Sequence, residues 1–259
     1  MIEVRELKQY YRGGYALDGV SFKLKNGGIY GVYDADGESA HVLLALLSGA
    51  LLPDAGWVRV NGLDTVKEPI AARRTVGYVP SDAEAYADMT VEEYMTLVAD
   101  AKGLDFELSA REVQEILDAV ELRMKRHTLC AYLSAGERRR LALAQALLGS
   151  PEFILLDDPF KNLAERDVRD LFDRILGLGD SKTVFVSAAP AMLSTLADEV
   201  LVLRDGKLLG VFGVQDEALR EVYASLGEES EEESYLRIRR KRMRRDQRRK
   251  SEERGGDEA

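Results

Sequence analysis

Short runs made mostly of apolar residues recur along this chain, and they constrain its fold more than any other feature. Four such runs occur, at residues 29–33, 153–157, 183–187 and 199–203. Runs of this length are typical of strands that are buried on both faces of a sheet. Helical patterns lie between them, around residues 166–176 and 190–196. Because strands that alternate with helices favour a mostly parallel sheet covered on both faces, we predict an α/β fold.

Length and composition exclude several classes of protein. The chain has 259 residues, enough for one large α/β domain, and its hydrophobic fraction of 46% allows a sizeable core. We expect no membrane-spanning helix, because no apolar run approaches the roughly 18–20 residues that cross a bilayer. We also expect no secretion signal at the start of the chain. The single cysteine, Cys130, excludes an internal disulfide and fits a reducing compartment.

The net charge of −10 is unevenly distributed. Residues 228–259 hold 11 Lys/Arg and 10 Asp/Glu, which leaves 25 and 36 in residues 1–227. Such an acidic body is a poor general binder of nucleic acid. The tail divides into an acidic cluster at 228–233 and a basic segment at 237–250. We expect the tail, residues 227–259, to be disordered or helical. It is either simply solvated or in contact with anionic lipid or an acidic partner, and nucleic acid is the less favoured ligand.

An unusual loop follows the first apolar run. The chain passes from the predicted strand into a charged loop and then into an apolar helical stretch that ends near Leu52. Strand, loop and helix in this order are the setting that a phosphate-binding loop requires. This loop, however, contains no lysine and three acidic residues. Its nine residues are Asp34, Ala35, Asp36, Gly37, Glu38, Ser39, Ala40, His41 and Val42.

Residues from about 90 to 148 are predicted to be mainly helical. Thr90 is followed three residues later by Glu93, and Ser134 is followed in the same way by Glu137. Both pairs fit the capping box, in which two side chains satisfy the first free N–H groups of a helix. The second pair therefore predicts a helix that begins directly after Ser134.

Taken together, these segments resemble the nucleotide-binding subunit of ABC transporters. The motifs that carry the resemblance lie at residues 11–22, 49–56, 76–80, 133–141 and 155–159. It covers roughly residues 1–215. The resemblance implies a P-loop NTPase (RecA-like) fold in residues 1–226, with a mostly parallel sheet core, an antiparallel β subdomain and a helical subdomain at about 82–150. It also relates Tyr11 to the aromatic residue on which adenine stacks, although ordinary packing is the favoured explanation for this tyrosine.

The phosphate loop departs from the family pattern. The family's loop ends in Gly-Lys-Ser/Thr, but Ala40 stands at the lysine position and His41 at the position of the metal-binding hydroxyl. Two like charges in contact repel each other by about 1 kcal/mol in water and about 4 kcal/mol at an effective dielectric of 20. Several such repulsions would offset most of a micromolar affinity, about 8 kcal/mol. We therefore predict that the loop does not hold ATP. The alternative is a variant loop that still binds ATP through its backbone.

Other positions depart from the family in the same direction. Ser81 replaces the glutamine that contacts metal and water, and Ala164 replaces the aspartate of a later loop. Ala189 replaces the histidine that contacts the γ-phosphate. Asp157 and Asp158 stand at the positions of the metal-binding aspartate and the general-base glutamate, and the second has too short a side chain for that geometry. We regard these positions as vestigial and assign no catalytic or metal-binding residue.

The signature motif departs least. In the family it serves the ATP that is bound to the other subunit of a dimer, through a hydroxyl and a backbone amide. Ser134 and Gly136 occupy those positions, at the start of a helix that favours anions. The alternative is a simple helix cap, which needs Ser and Glu but not Gly136. The motif consists of Leu133, Ser134, Ala135, Gly136 and Glu137.

These observations predict a non-hydrolysing ABC subunit. It would pair with a competent ATPase subunit and with a membrane-spanning subunit, in the cytoplasm at the inner face of the membrane. We expect no cofactor in its own site, and ATP with Mg²⁺ at a shared dimer interface. Two other functions stay open. One is an ATP-independent regulatory or scaffold protein with an ABC fold, and the other is a weakly active ABC ATPase.

Overall fold

The computed structural model describes residues 1–35 and 38–226, without the side chains of Phe106 and Leu108. Its strands are β1 (Ile2–Tyr11), β2 (Gly14–Leu24), β3 (Gly28–Asp34), β4 (Ala55–Val60), β5 (Leu63–Asp64), β6 (Val76–Val79), β7 (Phe153–Leu156), β8 (Thr183–Ser187), β9 (Glu199–Arg204) and β10 (Lys207–Gly213). Its α-helices are α1 (Glu38–Leu47), α2 (Pro69–Arg74), α3 (Val91–Ala101), α4 (Phe106–Ala119), α5 (Ala135–Leu147), α6 (Glu165–Gly179), α7 (Pro190–Leu196) and α8 (Glu217–Ser225). Short 3-10 helices occur at Arg123–Lys125 and Cys130–Tyr132.

The strands form two sheets. The larger sheet has the order β10-β9-β3-β8-β7-β6, and all of its neighbours are parallel except β10 and β9. The smaller sheet, of order β2-β1-β4-β5, is antiparallel throughout. The predicted α/β fold, with a mostly parallel core and an antiparallel β subdomain, is confirmed.

Two apolar cores cover the two faces of the large sheet. One core joins α1 to the small sheet and to side chains such as Val32 and Leu155. The other joins Ile154 and Val184 to the helices on the opposite face. The strands β7 and β8 are buried at every position, which is why β7 is wholly apolar and β8 is apolar except at its two ends.

The helices α3, α4 and α5 pack around a third apolar core of their own. Both predicted capping boxes are confirmed: Thr90 caps α3 together with Glu93, and Ser134 caps α5 together with Glu137. At the other end of α5, Lys102 Nζ donates hydrogen bonds to the carbonyl oxygens of Gln145 and Leu148, at 2.8 and 2.7 Å. Burial lowers the pKa of this lysine to about 8.

Charged side chains connect this helical layer to α6. Arg140 Nη1 of α5 lies 3.0 Å from Asp170 Oδ2 of α6. Arg174, also of α6, lies 3.1 Å from Asp170 and 3.0 Å from Glu121, which follows α4. Both arginines are mostly buried, so the network is screened less by salt than a surface pair.

Several predictions on the layout of the chain stay predictions. The domain limits at 226 and at about 82–150 are not tested, and the charged tail lies outside the described residues. Among the described residues, no helix is long and apolar enough to cross a membrane.

Candidate nucleotide site

The predicted site lies where three parallel strands end at the same edge of the large sheet. Val32 of β3 pairs with Ser187 of β8, and Leu156 of β7 pairs with Val186. Asp34, Asp157 and Ser187 therefore lie at one edge, beside the start of α1. Because carboxyl ends of parallel strands form the ligand site in open α/β sheets, this is the place where a nucleotide would bind. Asp36 and Gly37 of the predicted loop lie outside the described residues.

A carboxylate of the loop occupies the start of α1. Ser39 N donates a hydrogen bond to Asp34 Oδ2 at 2.7 Å, and Asp34 is buried. In a phosphate-binding loop, the N–H groups at this helix start point at the phosphates. Here the N–H of Ser39 is bound to an anion of the same chain.

A second internal contact joins His41 and Asp157, the residues at the two metal-related positions of the family pattern. His41 Nδ1 lies within hydrogen-bond distance of Asp157 Oδ2. The same carboxylate accepts hydrogen bonds from Ser187 Oγ at 3.0 Å and from the N–H of Ser81 at 3.4 Å. The Asp157 side chain is only 4% exposed, so its partners are protein groups rather than bulk solvent. A group that would hold Mg²⁺ in the family is thus engaged by an imidazole and two other donors.

Asp158, at the general-base position, has an unusual backbone. Its φ is +42°, in the left-handed region that aspartate tolerates better than most residues. Its N–H donates to Ser187 Oγ at 2.7 Å, which fixes the turn after β7. Burial raises the pKa of its carboxyl group, a shift that Asp157 increases and Lys161 opposes.

The remaining loop residues also face other parts of the protein. Ala40 is buried in the apolar core that joins α1 to the small sheet. Glu38 lies 3.4 Å from Arg12 Nη1, and both side chains are largely exposed. The Arg12 guanidinium lies 5.2 Å from the ring centre of Tyr11, which packs half-buried against the same core. The stacking role of Tyr11 stays a prediction, and its packing is the contact that the structure describes.

Three other positions that differ from the family pattern lie at the starts of helices or after a strand: Ala164 precedes α6, Ala189 precedes α7 and Ser81 follows β6. Neither alanine makes a side-chain cap. Ser81 lines an open cleft of about 450 Å³ that also contains Arg139 and Lys161. Arg139 donates to the carbonyl oxygen of Ser81 at 3.1 Å, so it positions this loop. Within residues 1–35 and 38–226, no group of three or more His, Cys, Asp or Glu side chains is arranged to hold a metal ion.

Sequence reasoning missed Ser187 and Arg139. Ser187 ends a predicted strand that is parallel to the strand before Asp157, so its position at the same edge could have been anticipated. Arg139 gives no such signal, because its contact with the loop after β6 spans 58 residues.

The signature motif lies at the start of α5. Ser134 Oγ accepts the N–H of Glu137 at 3.2 Å, and Glu137 Oε2 accepts the N–H of Ser134 at 2.8 Å. The bond from Ser134 lowers the pKa of the Glu137 carboxyl. Ser134 and Ala135 are exposed, whereas Gly136 is buried. Leu133, which precedes the cap, is buried in the core of the helical layer.

Comparison with known proteins identifies the family. The family profile described as "ABC transporter" matches residues 17–161. A Halobacterium salinarum protein named as an ABC transporter ATP-binding protein is 33% identical over 211 residues, which are 80% of this chain and 91% of the relative. The chain belongs to the ABC transporter ATP-binding family.

Further members of the ABC family agree with this assignment. The daunorubicin/doxorubicin resistance ATP-binding protein of Streptomyces peucetius is 27% identical over 210 residues, which are 80% of this chain and 64% of that protein. A solved dimeric bacterial ABC transporter cassette superposes with a TM-score of 0.74 at 21% identity, covering 83% of this chain and 100% of that one. A nucleotide-free ABC cassette gives 0.74 at 21% identity, over 86% and 95%. These structures support the P-loop NTPase fold.

Proposed function

We propose that this chain is an ABC subunit whose own half-site holds no ATP. The observation that carries the proposal is the internal occupation of that half-site. Asp34 binds the Ser39 N–H at the start of α1, and His41 contacts Asp157. An incoming triphosphate would have to displace a buried carboxylate, and Mg²⁺ would have to displace an imidazole. Since the residues present do not fit MgATP, no hydrolytic step is assigned to them.

The first experiment is calorimetry of the isolated chain with MgATP. We expect no detectable binding at micromolar nucleotide. A dissociation constant in the micromolar range would refute this part of the proposal and would favour a weakly active ATPase.

The second part of the proposal concerns a partner. The chain pairs with a competent ABC ATPase subunit and presents Ser134 and Gly136 to the partner's ATP. Two features support this: Ser134 is exposed, and it caps the start of α5, where the free N–H groups of a helix favour an anion. A related cassette has been solved as a dimer, which is the assembly that such sharing needs.

The complex with a competent subunit tests this role. Ser134→Arg places a bulky side chain at the exposed start of α5 and should lower the ATPase activity of the complex at least tenfold. Glu38→Ala, in the half-site that is already occupied, should leave the activity within twofold. If Ser134→Arg leaves the activity of an assembled complex unchanged, the chain does not complete the partner's site.

A scaffold function is the second candidate, and one contact favours it. Gly136 packs against Asp167 of α6, so its lack of a side chain has a structural explanation that does not require ATP. In that case the complex would assemble equally well with and without nucleotide.

We further propose that a membrane-spanning subunit completes the transporter and holds this chain at the inner face of the membrane. For the basic segment 237–250, we propose anionic lipid or an acidic partner as the ligand.

A further inference from the structure

The start of α5 touches a carboxylate of the neighbouring helix. A Cβ at position 136 would lie 2.8 Å from Asp167 Oδ2 and closer still to Oδ1, distances that side-chain carbons do not tolerate. The Asp167 carboxylate therefore lies directly against the backbone of Gly136, the second residue of α5. Asp167 belongs to the first turn of α6 and is partly exposed.

This carboxylate is not neutralised by a nearby cation. In residues 1–35 and 38–226, no Lys, Arg or His side chain lies within 4.0 Å of it, and no hydrogen bond to it is present. Glu137 already places a second carboxylate at the same helix start, where it binds the Ser134 N–H. Glu137 is itself paired with Lys125 Nζ at 3.4 Å, so among the described residues Asp167 is the negative charge at the positive end of α5 that no cation within 4.0 Å balances.

We propose that Asp167 weakens the attraction of the α5 start for a phosphate group and so tunes the affinity of the signature motif. The inference rests on the proposed function, because the phosphate in question belongs to the ATP of a partner subunit. We assign the effect to the charge of Asp167, because its carboxylate lies against Gly136 while Ser134, two residues earlier, remains exposed. Glu137 has a separate role, because it holds the cap.

The first test uses the isolated chain and orthophosphate. Phosphate is titrated at low ionic strength while the amide chemical shifts of Ala135 and Gly136 are followed. Asp167→Asn should lower the apparent dissociation constant roughly fivefold, the size of effect expected from one nearby charge. Asp173→Asn removes an exposed charge from the same helix and is the matched control, with no change beyond twofold expected.

Salt separates an electrostatic role from a structural one. The difference between wild type and Asp167→Asn should shrink strongly between 20 mM and 500 mM NaCl, because surface charges are screened over a few ångströms at high salt. Asp167→Ala, which also removes the charge but introduces no amide, should behave like Asp167→Asn. A difference that persists at high salt, or an affinity that Asp167→Asn leaves unchanged, would overturn the proposal.

The complex distinguishes this inference from the function on which it rests. A competent partner subunit whose general base has been removed forms an ATP-dependent complex without turnover, and the dissociation constant of that complex is measured. Asp167→Asn should tighten it roughly fivefold with ATP and leave it unchanged without nucleotide. If Ser134→Arg weakens the complex but Asp167→Asn has no effect, only the role of Asp167 fails. If Ser134→Arg also has no effect, the proposed function fails with it.

Discussion

Replacement of Asp34 by alanine tests whether this carboxylate has become a structural part of α1. The change removes a negative charge from the position where ATP phosphates bind in the family. If the loop were a nucleotide site blocked only by charge, the variant would keep its stability and move toward ATP binding. If Asp34 is an internal ligand of α1, the variant should instead lose stability.

The magnitude follows from the contacts of Asp34. Its carboxylate accepts the Ser39 N–H at 2.7 Å in a buried setting. Removal of a capping carboxylate costs about 1 kcal/mol, and hydrogen bonds to charged groups contribute about 1.5–3 kcal/mol. The variant no longer buries a charged group, and this gain offsets part of the lost stability. We therefore expect the free energy of unfolding to fall by about 1–2 kcal/mol. For a chain of this size, that loss lowers the Tm by roughly 2–8 °C.

The assay is urea unfolding at pH 7, followed by circular dichroism, with Glu38→Ala as the matched control. Glu38 belongs to the same loop, but its contact with Arg12 is exposed, so its removal should change stability by less than about 0.5 kcal/mol. Neither variant should bind MgATP in calorimetry. Equal stabilities of the two variants, or a gain of stability in Asp34→Ala, would refute the assignment of Asp34 as an internal ligand.

Three further predictions concern other parts of the structure. Ser187→Ala should lower the free energy of unfolding in urea by about 2 kcal/mol, because Asp158 N and Asp157 lose their shared partner. Ser187→Thr keeps the hydroxyl and is the control, so equal stabilities of the two variants would contradict the role of that hydroxyl. For Lys102, the folded pKa of about 8 lies below the ordinary value of 10.5, so the unfolded chain holds more protons between these values and stability should rise with pH across that window. The rise should be smaller by about 2 kcal/mol between pH 7.5 and 9.5 in Lys102→Met, and parallel profiles would exclude the lysine as its source. Ala40→Lys should lower the Tm, because it buries an ammonium group in an apolar core. It should also not produce MgATP binding, and a micromolar dissociation constant would show that the absence of a lysine at position 40 alone prevents binding.

Local sequence signals predicted the parts of the fold that depend on near neighbours. The capping box of Ser134 and Glu137 spans three residues, and the buried strands β7 and β8 are short apolar runs. The first strand, β1, was not predicted, because three shifts in its pairing interrupt the alternation of its side chains.

The contacts that shape the candidate site, by contrast, join residues that are far apart in the sequence. His41 and Asp157 are 116 residues apart, and Gly136 meets Asp167 on another helix. From Ala40 and the three acids, the sequence predicted that the loop does not hold ATP, and this stays a prediction. It could not predict that Asp34 accepts the Ser39 N–H, because the loop's conformation decides which acid turns inward.

The contact between His41 and Asp157 also ties neighbouring positions of the loop together. His41→Ser leaves the buried Asp157 carboxylate without its imidazole partner, and Ala40→Lys places an ammonium group in an apolar core beside an unchanged His41. We therefore expect each single substitution to lower stability, and the effects of the two to be non-additive because the residues are neighbours. The conformation of this loop is thus a property of several positions at once rather than of any one residue.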